Sequence, residues 1–167
     1  NILCQLLIYH QAVPIFIDAD DDSLAIASQC GIYYTVRADE AMEENICRIT
    51  GGRLAKDSVY CSGSDLSPSL PFTYTATDGT VIYTGFDFPD VSVAVKPALE
   101  KRLTVTAVTN DYSNNATAIN RIVNKAVNLA PFCKDVRPVA DIAKLFDQAA
   151  AKKDAGKHVP YTIVNMI

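Results

Sequence analysis

Histidine is scarce in this chain, with only His10 and His158 among 167 residues. Its five cysteines, Cys4, Cys30, Cys47, Cys61 and Cys133, lie far apart and form no Cys-x-x-Cys pair. A zinc-type ligand set therefore cannot be written. An odd number of scattered cysteines reads as small buried thiols, which favours a reducing, intracellular compartment, with one or two disulfides left open. Long apolar runs are also missing. Gln5–Tyr9 and Val13–Ile17 fall far short of the ~20 residues a spanning helix needs, so no membrane span is expected.

A cationic surplus is absent as well. The net charge is −4, and residues 1–51 carry eight acids against only Arg37 and Arg48. The remainder holds 11 acids and 13 bases. A nucleic-acid binder shows a basic stripe, so nucleic acid is not an expected partner. The chain opens on Asn1, which reads as a processed or trimmed chain with any targeting peptide out of view.

What is present fits a mixed α/β domain. Hydrophobic residues make up 49% and charged residues 20%, an ordinary globular balance. One domain over 1–167 is expected. Val13–Ile17 reads as a strand, and the acidic turn Asp18–Asp22 leads into a short helix ended by Gly31. Ile32–Val36 is β-branched and aromatic, hence a second strand. Asp39 caps a helix that puts Met42, Ile46 and Ile49 on one face, and Gly51-Gly52 ends it. Strand, capped helix and glycine, twice over, predict an N-terminal βαβα unit with parallel strands.

The polar, proline-punctuated loop 62–71 is a candidate subdomain boundary, dividing a βα half (1–61) from a hairpin-plus-helices half (72–167). Phe72–Thr77 alternates by two, Asp78-Gly79 is a hairpin-type turn and Thr80–Thr84 returns. A central antiparallel hairpin or meander follows from that reading, extended by strands at Val91–Val95 and Leu103–Thr109. Two C-terminal helices, one bearing Ile119, Ile122 and Val123 and the other running from Val139 to Lys153, precede a closing strand at Tyr161–Ile167.

Chemistry-bearing positions are few. Asp18, Asp20 and Asp22 follow an apolar strand, so their carboxylates gather at the carboxyl end of a sheet, where ligands of open α/β sheets bind. Clustered oxygens suit a hard cation, and the three aspartates are candidate ligands for Mg or Mn. The competing reading has Asp22 capping the next helix and the others solvated. Asp18-Ala19-Asp20 resembles the DxD element of GT-A glycosyltransferases, which implies a metal-dependent enzyme on a phosphorylated or nucleotide-sugar substrate. Residues 1–52 also resemble the last helix–strand–helix–strand unit of a von Willebrand factor A domain, and Ile32–Gly52 resembles part of a group II chaperonin apical domain. Three unrelated families fit one stretch, so none is assigned.

Cys61 with Ser62 and Ser64 offers nucleophiles, but the only base in view is His158, almost a hundred residues on, and no Gly-x-Ser-x-Gly elbow occurs. No catalytic residue is assigned. Gly51-Gly52 follow a helix instead of opening one, which argues against a phosphate loop. The threonine-rich, weakly charged strands suit contact with another sheet. The expectation is thus a non-catalytic structural or interaction domain without a cofactor, acting as a subunit of an assembly through other chains or copies of itself. The alternative is the Mg- or Mn-dependent enzyme.

Overall fold

A computed structural model describes residues 1–61, 66–85, 90, 92–109, 112–133, 135–154 and 162–165. The chain opens with helix α1 (Ile2–Tyr9) and continues through strand β1 (Ile15–Asp18) into α2 (Asp21–Gln29). Asp20 caps α2, its Oδ2 accepting from the Ser23 N–H at 3.0 Å and the Ser23 hydroxyl at 2.9 Å. Gly31, at φ +83°, turns the chain out of the helix, a conformation that costs glycine little. Strand β2 (Tyr34–Arg37) then pairs with β1 in parallel, Ile15 opposite Tyr34 and Asp18 opposite Arg37. The expected βαβ unit is present.

Helix α3 (Met42–Ile49) has its cap position at Ala41, two residues later than the expected Asp39. Asp39 accepts instead from the Ala41 N–H through Oδ1 at 3.0 Å, closing a turn just ahead of the helix. The anticipated face forms: Met42 and Ile46 are buried with Val36, and Ile15, Ile17, Ile49, Leu70 and Tyr74 pack around them. Gly52 donates to the Cys47 carbonyl at 2.8 Å and ends the helix.

The middle of the chain departs from expectation. Phe72–Thr77 is not a strand. Pro71–Tyr74 forms a single helical turn, α4, with proline at its start where no amide hydrogen is needed. One strand, β4, then runs from Thr75 to Thr84 through the supposed hairpin turn. It lies between β3 (Ala55–Cys61) and β5 (Thr104–Val108), parallel to both. The antiparallel meander is thus replaced by a parallel sheet.

The reason lies at Asp78-Gly79. Register jumps from Ala55 opposite Thr75 to Asp57 opposite Thr80. The surplus residues form an irregular bulge within a strand that keeps its direction. Asp78 sits at φ +60° and donates its amide to the Lys101 carbonyl at 2.8 Å. The second expected strand, Val91–Val95, is also replaced. Residue 91 lies outside the described residues, and Val95–Glu100 forms helix α5, which crosses over to β5 with Pro97 in its first turn.

Phe72, Val81 and Ala98 make a second buried cluster beneath this sheet. Thr75, fully buried, donates its hydroxyl to the Pro71 carbonyl at 2.6 Å, so the Ser58 hydroxyl must donate to Thr75 across 2.7 Å. Beyond β5 come α6 (Asn115–Val123) and α7 (Ile142–Asp154), then β7 (Thr162–Asn165) close to where a final strand was expected. β7 pairs in parallel with β6 (Asp135–Pro138), a four-residue segment ending in proline that is too short to give a strand signal. Among the described residues no helix is long and apolar enough to cross a membrane.

Candidate functional site

Parallel strands β1 and β2 end side by side, so Asp18 and Arg37 stand at one rim of their sheet. The backbone is tied there too: the Ala38 N–H donates to the Asp18 carbonyl at 2.9 Å. Beyond Asp18 the chain folds into a tight turn, in which Asp18 Oδ1 accepts from the Asp20 N–H at 3.0 Å. That bond aims the Asp18 side chain along the turn and uses one of its two oxygens.

The other aspartates have separate employments. Asp20 caps α2 through Oδ2. Asp21, in the first turn of that helix, forms an ion pair with Arg37. Asp22, next in the same turn, is exposed. The capping role expected of Asp22 therefore belongs to Asp20. A carboxylate committed to a helix amide has fewer lone pairs for a cation. Among the described residues no group of three His, Cys, Asp or Glu side chains gathers as a metal site.

Two cysteines, Cys4 and Cys61, lie on α1 and β3. Cys61 is exposed at the carboxyl end of β3. Burial pushes the Cys4 thiol up, the Asn1 ammonium lowers it in part, and Cys61 adds a further upward push. α1 is anchored by Gln5, which donates to the Asn128 carbonyl at 3.2 Å and accepts from its amide at 2.6 Å. Arg121 lies over the Tyr9 ring, 4.5 Å from its centre. His158, the one base considered for Cys61, and the neighbouring Ser62 and Ser64 lie outside the described residues.

Sequence reasoning placed Asp18 at a sheet rim and missed Arg37, which it counted only as charge. The available signal was positional: Arg37 ends the second strand just as Asp18 ends the first. All five cysteines are free thiols, with Cys4, Cys30 and Cys133 partly covered and Cys47 and Cys61 exposed.

No known protein-family profile matches the sequence. No curated protein matches it either. Solved structures do. An alcohol dehydrogenase from Escherichia coli in complex with NADH superposes at TM-score 0.77 with 12% identity, over 98% of this chain and 48% of its own. L-Idonate 5-dehydrogenase from the same species gives 0.74 at 14% identity, over 98% of this chain and 46% of its own. The alcohol dehydrogenase of the archaeon Aeropyrum pernix gives 0.72 at 13% identity, over 99% and 46%. The chain thus spans just under half the length of these proteins. At such identities the likeness is one of fold.

These neighbours correct the functional expectations. A non-catalytic structural domain or assembly subunit was anticipated, yet the three solved structures named above, which share this architecture, are dehydrogenases. Either no cofactor or Mg or Mn was anticipated, yet the first of these neighbours holds NADH. The low charge and threonine content that suggested a contact module belong to the strands of a parallel sheet.

Proposed function

We propose that this chain is the dinucleotide-binding part of an NAD(H)-dependent oxidoreductase, in which Asp18 receives the adenosine ribose. The observation that carries this reading is the position of Asp18. It is an acid at the carboxyl end of a parallel strand, entered from one helix and left through another. In the doubly wound dinucleotide fold, an acid so placed accepts hydrogen bonds from the ribose hydroxyls.

The strand order supports it. In the classic order 3-2-1-4-5-6, β2 and β1 would fill the third and second places, and β3, β4 and β5 the fourth, fifth and sixth. The first place has no counterpart among the described strands. The residues fit the adenosine end of the nucleotide. Asp18 engages the turn through Oδ1, which leaves Oδ2 for a ribose hydroxyl, and Ala19 adds no bulk beside it. Asp20, Asp21 and Asp22 would repel a 2′-phosphate, which favours NAD(H) over NADP(H).

None of the seven glycines falls in a Gly-x-Gly-x-x-Gly spacing, so pyrophosphate recognition is assigned to none of these residues. The nicotinamide, when bound, supplies the hydride chemistry. This chain's share is to bind and orient the adenosine half at the rim.

The test is a fluorescence titration with NADH. Saturable binding is expected, and Asp18→Asn should weaken it by about 10-fold or more, because hydrogen bonds to a charged acceptor are worth ~1.5–3 kcal/mol. Absence of saturable NADH binding, or equal affinity in the variant, overturns the proposal.

A further inference from the structure

We propose that Asp21 is a positioning residue that sets nucleotide choice by holding Arg37 away from Asp18. The inference rests on the dinucleotide reading of Asp18 given above. Arg37 lies directly opposite Asp18 in the ladder, about one strand spacing, ~4.8 Å, away at the backbone. It is one of only two bases in residues 1–51, and the other, Arg48, is spent at the far end of α3 on Asn45 at 2.9 Å. Among the described residues, Arg37 is the cation that the β1–β2 ladder sets beside Asp18.

The structure shows where that cation goes. Its guanidinium is drawn to Asp21, in the first turn of α2, and the two side chains are 49% and 78% exposed. Held there, Arg37 leaves the Asp18 carboxylate uncompensated beside it. An uncompensated carboxylate accepts ribose hydroxyls and repels a 2′-phosphate. A released arginine does the opposite, since its planar fork pairs well with phosphate oxygens. One rim thus holds the parts of both specificities, and the Asp21–Arg37 pair selects between them. An exposed pair is weak, so the selection is a matter of a few-fold and is open to single substitutions.

The experiment is a set of NADH and NADPH titrations at low ionic strength on the chain and three variants. Asp21→Asn should shift the affinity ratio toward NADPH by about 5-fold, the scale of one exposed ion pair. Asp22→Asn removes the same charge one residue on without freeing Arg37, and should shift the ratio by less than half as much. Adding Arg37→Gln to Asp21→Asn should return the ratio to the Asp22→Asn level. If Asp21→Asn moves the ratio no further than Asp22→Asn, or if the double variant keeps the gain, the steering role of Arg37 is overturned while NADH binding stands. Failure of the unaltered chain to bind either nucleotide overturns the dinucleotide reading itself.

Discussion

Tyr74 ends the single turn of α4 and packs against the Val36–Met42–Ile46 cluster. Burial above all, with Tyr83 and Tyr60 nearby, pushes its hydroxyl from 10 up to about 12. A folded-state value above the unfolded one means that the folded form holds the proton longer. The resulting stability is intact below pH 10 and drains away as pH rises from 10 to 12. Melting temperature should therefore fall steeply across that window, and less steeply in Tyr74→Phe. Parallel curves for the two proteins would sink this account.

At this scale the sequence was readable where a residue's role depends on its near neighbours. Gly31 and Gly52 as helix stops needed only the preceding turn to be recognised. Asp20 was misassigned by two places because four acids in five residues offer several equivalent caps, and only the backbone path chooses among them. Arg37 was invisible as a site residue, since its partner Asp21 is 16 residues away in sequence and reached across two strand ends.

Elements show the same division between local and distant causes. The first βαβ unit is encoded by alternating apolar blocks and caps, and it formed as expected. β4 was misread because Asp-Gly between alternating residues signals a tight reversal, yet the same dipeptide serves a bulge. What decided the outcome was β3, a distant segment that aligns both halves of β4 in one direction. Gly79 is the residue that permits this. A Cβ there would lie 2.5 Å from the Lys56 carbonyl oxygen, 2.7 Å from a Thr75 methyl and 2.8 Å from the Ala76 carbonyl oxygen. Two of the three atoms are backbone and cannot rotate aside. Gly79→Ala should cost about 1–3 kcal/mol, read from urea unfolding; a change within 0.5 kcal/mol, the scale of a neutral surface substitution, would mean that the bulge relaxes freely.

For the whole molecule, the described strands form a three-stranded sheet and two pairs. Protection from hydrogen exchange should follow that division. The amides of β4, flanked on both sides and carrying the buried Val81 in one cluster with Phe72 and Ala98, are expected to exchange slowest. Those of β5, with all five residues exposed, and of the β6–β7 pair should exchange faster. Uniform protection across the seven described strands would contradict this. The candidate site was legible only to the extent that an acid follows an apolar strand. Its meaning depended on the whole strand order, which no local pattern carries.

Among the described residues no hydrogen-bonded ladder joins β1 to β3, and the packing of Leu70 and Tyr74 against Val36, Met42 and Ile46 joins the Gln5–Asn128 hydrogen bonds in linking the chain on either side. Part of the coupling between the halves consequently travels through greasy side chains whose grip weakens on cooling, while the Gln5–Asn128 hydrogen bonds hold the N-terminal part by polar contacts. Chilling should therefore slacken the tie between the Asp18–Arg37 rim and the central sheet without severing it.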